Sequence, residues 1–283
     1  MPEGDSIYRE AALLHEALAG RTLLDTEFRV PTFAAADISG QRVERVRARG
    51  KHLLIHTTDT VIHSHLKMEG TWHVYPTTQG RPQWRRPGHT ARCILTTEDH
   101  QAVGFSLGEL HLFTPSEAES HIAHLGPDLL GPDWDADEAQ RRLLAEPERA
   151  IGVALLDQRN LAGVGNVYRS EICFLAGIHP ETPVRSVPDL PRILELAHRL
   201  LEVNKLRPRR RTTGTPTGGH DLWVYGRGGK PCLRCRTRIE RTHHGEAVQP
   251  DSGQRRAAQQ DRVVYFCPRC QPRAGSRRLN QIT

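Results

Sequence analysis

The chain has 283 residues, enough for two ordinary domains of ~150 residues with room for a small metal module. Its 37% hydrophobic and 25% charged residues suit packed cores and exclude a fibrous or wholly disordered chain. The N-terminus is polar and no apolar run approaches the ~18 residues of a membrane helix, so a cytoplasmic protein with no membrane partner is expected.

Residues 6–18 place apolar side chains at helical spacing, predicting an amphipathic opening helix. From about 22 to 114 the texture changes to short runs rich in Val, Ile, Thr and aromatics. Arg42–Val46, His52–Thr57, Val61–Leu66, Thr71–Tyr75 and Arg92–Thr96 are examples, separated by Gly, Pro or Asp turns. Strands without intervening helices predict a sandwich or barrel. Gly80–Gly88 reads as an exposed loop. After Pro115 the pattern is helical, over 117–125, 135–145, 148–158, 167–176 and 189–203, with Asp135 a candidate N-cap. Residues 206–220 form a basic Gly/Thr-rich loop, and 271–283 are expected to be a mobile tail.

The formal net charge of +6 is unevenly placed. Residues 201–283 hold 18 Lys+Arg against 6 Asp+Glu, and the rest of the chain 21 against 27. Most of the C-terminal basic residues are Arg, whose planar fork suits phosphate, so a nucleic-acid partner is favoured over a merely solvated face. In the same region Cys232 and Cys235 are separated by two residues, as are Cys267 and Cys270, with 31 residues between the pairs. Each pair can present two thiolates to one ion from a single turn, and two pairs complete a tetrahedral Zn²⁺ site. Two disulfides or four idle thiols are the alternatives, and disulfides suit secreted chains. Four thiolates leave no open position, so the zinc is expected to be a single structural ion. Cys93 and Cys173 lie in apolar surroundings and read as inert core thiols.

Residues 155–180 contain Gly163-Val164-Gly165-Asn166, where two glycines interrupt one helix and Asn166 can cap the next, exposing N–H groups suited to phosphate. This stretch resembles the helix–two-turns–helix motif of the formamidopyrimidine-DNA glycosylase / endonuclease VIII family. Three other segments agree with the resemblance: Met1-Pro2-Glu3-Gly4, the turn Gly50-Lys51-His52-Leu53, and Val224-Tyr225-Gly226-Arg227 with Arg262–Gln271 around the cysteines. It covers about residues 2–271. The implied fold is α+β and multidomain: an N-terminal catalytic β-sandwich with a leading helix (1–115), a helical DNA-binding domain (116–222), and a zinc-finger β-hairpin (223–272).

The resemblance implies a monomeric, bifunctional DNA glycosylase and AP lyase acting on damaged DNA. Pro2, terminal once Met1 is removed, would be the nucleophile. A terminal amine titrates well below a lysine, and a secondary amine attacking a sugar carbon gives an already cationic iminium that promotes β- and then δ-elimination. Glu3 would be the general acid at the sugar ring oxygen. Lys51, Asn166 and Arg262 would hold backbone phosphate. Met68, in the turn His65–Gly70, would fill the gap left by the flipped nucleotide.

Some positions depart from the family pattern. Asp5-Ser6 replaces a common Pro-Glu, so a second N-terminal glutamate is missing. Ile151-Gly152 stands where a DNA-contacting lysine is often found. The long insert 236–266 includes His243 and His244, and is expected to add DNA contacts or form a loop. The opening residues and Thr212-Thr213-Gly214 look most like actinobacterial endonuclease VIII-like proteins, implying oxidised pyrimidines as preferred bases. The alternatives are the 8-oxoguanine branch and a non-catalytic, zinc-dependent DNA-binding protein.

Overall fold

The structure, a computed structural model, describes residues 2–77, 82–214, 220–244 and 262–273. The expected tail beyond 273 and most of the insert between the cysteine pairs lie outside these residues. The chain divides into two compact units, Met1–Trp134 with Lys205–Arg207, and Asp135–Asn204 with Pro208–Thr283. No described helix is long and apolar enough to cross a membrane.

In the first unit, helix α1 (Gly4–Leu18) buries Ile7, Ala11, Leu14 and Leu18, one apolar stripe at helical spacing. Eight strands follow: β1 (Asp25–Phe28), β2 (Val43–Arg49), β3 (His52–Thr57), β4 (Val61–His65), β5 (Thr71–Pro76), β6 (Ala91–Thr96), β7 (His100–Phe105) and β8 (Glu109–Phe113). They form two four-stranded antiparallel sheets, ordered β1-β6-β7-β5 and β2-β3-β4-β8. Leu53, Ile55 and Ile62 from one sheet share a core with Trp72, Cys93 and Leu95 from the other and with the α1 stripe. That is the β-sandwich with a leading helix. The named strands appear within a residue or two of the sequence reading, except β2, which runs three residues further, to Arg49. Strand β3 is buried along nearly its whole length because α2 (Pro115–Ile122) packs on the far side of its sheet. Helix α2 starts on a capping box: Thr114 N donates to Glu117 Oε2 at 2.8 Å and Glu117 N donates back to Thr114 Oγ1 at 3.4 Å.

The second unit holds α3 (Ala136–Leu144), α4 (Ile151–Ala154), α5 (Asn166–Ala176), α6 (Leu190–Asn204) and the hairpin β9 (Glu240–His244) with β10 (Arg262–Phe266). Asp135 caps α3 as expected, accepting from Glu138 N at 2.9 Å. The helix expected over 148–158 shrinks to the single turn α4. The reason is a segment further along the chain: Ile151 N and Gly152 N donate away from the helix, to Thr182 O at 2.8 Å and Pro180 O at 2.9 Å. Gly152 lies so close to Pro180 that a Cβ there would sit 3.0 Å from its carbonyl oxygen and from its own Cβ.

The direction of α1 decides where its N-terminus lies. Val46 N donates to His15 Nδ1 at 3.1 Å, and Gly20 N to Val43 O at 2.7 Å, so α1 runs antiparallel to β2. From His15 back to Glu3 the helix spans about 18 Å at ~1.5 Å per residue. From Val46 on to Lys51 the strand spans about 17 Å at ~3.3 Å per residue. The head of α1 and the β2–β3 turn therefore reach the same end of the sandwich. Glu10 fixes the helix against β5: Trp72 N donates to its Oε2 at 3.0 Å and Thr71 Oγ1 to its Oε1 at 3.4 Å.

Burial pushes the Glu10 carboxyl up to about 7, against the two hydrogen bonds and Arg9, which lower it. A carboxyl raised by folding binds its proton more tightly in the native state, so its contribution is complete below the unfolded value of 4.5 and is lost as pH rises through about 7. In urea unfolding, Glu10→Gln should therefore gain stability relative to wild type between pH 4.5 and about 7, with the difference levelling off above that. A pH-independent difference would remove this role from Glu10.

Candidate active site and metal centre

Glu3 is the N-cap of α1 and is fully buried. Its N–H donates to Ser6 Oγ at 3.1 Å, and its carbonyl accepts from Ser6 N at 2.9 Å and Ile7 N at 3.1 Å. This fixes the backbone of the residue that follows Pro2, which is itself half-buried. Asp5, which the sequence reading left without a role, is also buried, with Ser6 Oγ donating to its Oδ1 at 3.2 Å. A second carboxylate is thus linked through the Ser6 hydroxyl to the backbone of Glu3.

Lys51 occupies the β2–β3 turn, half-buried. Gly50 takes a φ of 56°, a left-handed conformation suited to glycine, and its N–H donates to Asp128 Oδ2 at 2.8 Å. Asp128 Oδ1 also accepts from Leu130 N at 3.1 Å. Burial holds the Asp128 carboxyl above the ordinary range, opposed by these two backbone donors and by Arg49. Asp128 therefore sets the turn that carries Lys51, a part no local sequence signal could reveal because it lies 78 residues away.

Met68 sits in the β4–β5 turn at that same end of the sandwich and is 61% exposed, so it is not a core residue. The turn is braced rather than loose. Gly70 N donates to Leu66 O at 2.9 Å, and Lys67, at a φ of 53°, pairs with Glu109 at 2.5 Å.

In the second unit the N-cap of α5 is Gly165, not Asn166. Asn166 is the first helical residue and is buried. Its Nδ2 donates to Val263 O at 2.7 Å, and its Oδ1 accepts from Arg169. Asn166 thereby holds β10, the strand that begins with Arg262. Below it, the buried Glu171 accepts from Trp223 N (2.8 Å), Val224 N (2.9 Å), Tyr225 N (2.9 Å) and the Thr212 hydroxyl. Sequence reasoning missed Glu171; a carboxylate on the buried face of an apolar helix was its only signal.

The four cysteines converge. Their sulfurs all lie within 4.8 Å of one another, with Cys235 and Cys267 at 3.4 Å and Cys232 and Cys270 at 4.0 Å. Four thiolates around one tetrahedral ion with bonds of ~2.3 Å would stand about 3.8 Å apart, so the set fits a metal without rebuilding. Arg234 N points at Cys232 Sγ at 3.4 Å, and Gln271 braces the second turn, accepting from Cys267 N and donating to Ile178 O, each at 2.9 Å. Cys93 and Cys173 are fully buried, and burial pushes the Cys173 thiol up to about 12, as befits inert thiols.

The chain matches the formamidopyrimidine-DNA glycosylase N-terminal domain over residues 1–106 and the formamidopyrimidine-DNA glycosylase H2TH domain over 125–205. It belongs to the formamidopyrimidine-DNA glycosylase / endonuclease VIII family. Within that family it is 47% identical to the probable endonuclease 8 2 of Streptomyces coelicolor, over 98% of both chains. It is 44% identical to the DNA-(apurinic or apyrimidinic site) lyase Nei2 of Mycolicibacterium smegmatis, over 96% of this chain and 99% of that one. It is 31% identical to endonuclease 8 of Escherichia coli, over 96% and 100%. Its fold is that of the Lactococcus lactis formamidopyrimidine-DNA glycosylase bound to DNA containing an AP site, with a TM-score of 0.74 over 96% of this chain at 21% identity.

Cys232→Ser should lower the metal content and cost the second unit much of the ~10 kcal/mol that a structural ion can supply, read as early thermal unfolding with metal release. Full metal retention in that variant would remove Cys232 from the ligand set.

Proposed function

We propose that this chain is a bifunctional DNA glycosylase and AP lyase of base excision repair that favours oxidised pyrimidines. The observation that carries the reading is the near full-length identity of 44–47% to relatives named as an endonuclease 8 and an AP lyase, together with a Pro2-Glu3 start leading into α1. On this reading the freed Pro2 nitrogen attacks C1′ of the damaged nucleotide and the base departs; the sugar ring oxygen, protonated by Glu3, then leaves as the C1′–O4′ bond breaks and the ring opens. The resulting iminium acidifies the 2′ proton. Its loss breaks the C3′–O bond and expels the 3′ phosphate, and a second elimination expels the 5′ phosphate. Lys51 holds phosphate beside the lesion, and Met68 enters the stack from its braced turn.

Residues 116–222 form the helical DNA-binding domain, 223–272 a zinc finger, and the ion is Zn²⁺, the metal best suited to four thiolates in tetrahedral array. Arg262 contacts phosphate from β10. Asn166 assists by holding that strand.

Borohydride trapping on duplexes carrying abasic, thymine-glycol, dihydrouracil or 8-oxoguanine sites tests the reading. Wild type should trap on the abasic and oxidised-pyrimidine duplexes. Pro2→Ala and an uncleaved N-terminal extension should trap on none while still binding duplex. Undiminished trapping by the homogeneous extended protein would overturn the nucleophile, and preferential trapping on 8-oxoguanine would move the chain to the other branch.

Glu3→Gln should slow base excision by ~10²–10⁴-fold, the range for a positioned proton donor. It should slow cleavage of a preformed abasic site much less, since that sugar already opens to an aldehyde. Equal losses on both substrates in single-turnover assays would remove the acid role.

A further inference from the structure

Six of the chain's 16 histidines gather on one face of the β2-β3-β4-β8 sheet: His52, His63, His65 and His111, with His121 and His124 at the end of α2. The ring of His63 lies 4.7 Å from that of His121 and 5.1 Å from that of His52. One ring nitrogen from each of His52, His63 and His121 falls within 4.8 Å of the others. Neither the proposed catalytic residues nor the four cysteines account for this cluster.

As core filler it is a poor choice. His63 is fully buried, and its Nδ1 has no hydrogen-bond partner among the described residues. His52 Nδ1 and His63 Nε2 stand 2.8 Å apart, two nitrogens that share at most one hydrogen bond. A neutral imidazole keeps one ring-nitrogen lone pair, as metal binding requires.

Hydrogen bonds sort two of the remaining three rings. His65 Nδ1 accepts from Lys67 N at 3.0 Å, which places its proton on Nε2 and leaves no lone pair for a metal. His124 Nδ1 donates to His121 O at 3.0 Å, which leaves its Nε2 lone pair available. Glu109, whose carboxylate acts on both His63 and His121, supplies negative charge nearby.

We propose that His52, His63 and His121 form a second metal site, for a zinc-type divalent ion bound by imidazole nitrogen, with the fourth position taken by water or His124 Nε2. Bonds of ~2.0–2.1 Å in a tetrahedral site would set the nitrogens about 3.3 Å apart, so His52 and His63 part by about half an ångström as the ion replaces their shared proton. All-imidazole ligation suits Zn²⁺, Cu²⁺ or Ni²⁺ and separates this site chemically from the thiolate one. An ion here would join β3, β4 and α2 one residue from Lys51. The site does not depend on the proposed glycosylase activity.

The test is metal stoichiometry in the full chain. Protein saturated with Zn²⁺ and then desalted should carry two ions per chain by elemental analysis. His121→Ala, at a half-exposed helix position, should carry one and His63→Gln should carry one, while the exposed control His89→Ala keeps two. With Co²⁺, the thiolate charge-transfer band of the cysteine site should be equal in wild type and His121→Ala, which also verifies that the variant is folded. One ion per chain in the wild type, or two in His121→Ala, would overturn the proposal.

Discussion

The second unit depends on one carboxylate. Glu171 lies in the buried interior of α5 and receives four donors, three of them consecutive backbone N–H groups at 223–225. Those three groups lie where no strand or helix could satisfy them, and leaving each buried without an acceptor costs about 1–3 kcal/mol. The carboxylate solves this at a price in desolvation, which pushes its carboxyl above the ordinary range against the pull of its donors. Through Thr212 it ties down the basic loop, and through Trp223–Tyr225 the lead-in to the cysteines. Other bonds from the same helix extend the effect. Asn166 holds Val263 O, Ser170 Oγ accepts from Tyr265 N at 3.4 Å, and Phe174 stacks on Trp223 beneath Arg234. Helix α5 is the axis about which loop and hairpin are set.

The first unit uses the same device. Glu10 and Asp128 are acidic groups taken out of water to accept backbone N–H groups, one at the start of β5 and the other at the turn bearing Lys51. Each spans a long stretch of sequence, and each fixes a segment next to a candidate functional residue. Preorganisation of this kind lets a loop hold its geometry before any ligand arrives.

Elements with strong periodicity were legible from the residues. The stripe of α1, strands β3 and β4, the Asp135 cap and the convergence of the cysteine pairs all follow from local pattern. What escaped the sequence was set by partners far along the chain. Strands β1, β7 and β8 were not singled out, and β1, with two acids among its four residues, is defined by pairing with β6. The helix expected at 148–158 lost to Thr182 and Pro180, whose carbonyls compete for its N–H groups. Asn166 looked like a cap because Asn favours that role, but Gly165 takes it and leaves the amide for Val263. Asp128 and Glu171 gave almost no signal, because a buried carboxylate is recognised by its donors and not by its neighbours in sequence.

Gly152 has an evolutionary consequence. A Cβ added there would stand 3.0 Å from both the Cβ and the carbonyl oxygen of Pro180. Any side chain at 152 would press on Pro180, whose carbonyl also receives the Gly152 N–H. The two positions are therefore coupled: a residue larger than glycine at 152 is tolerated only as far as Pro180 can give way by a few tenths of an ångström.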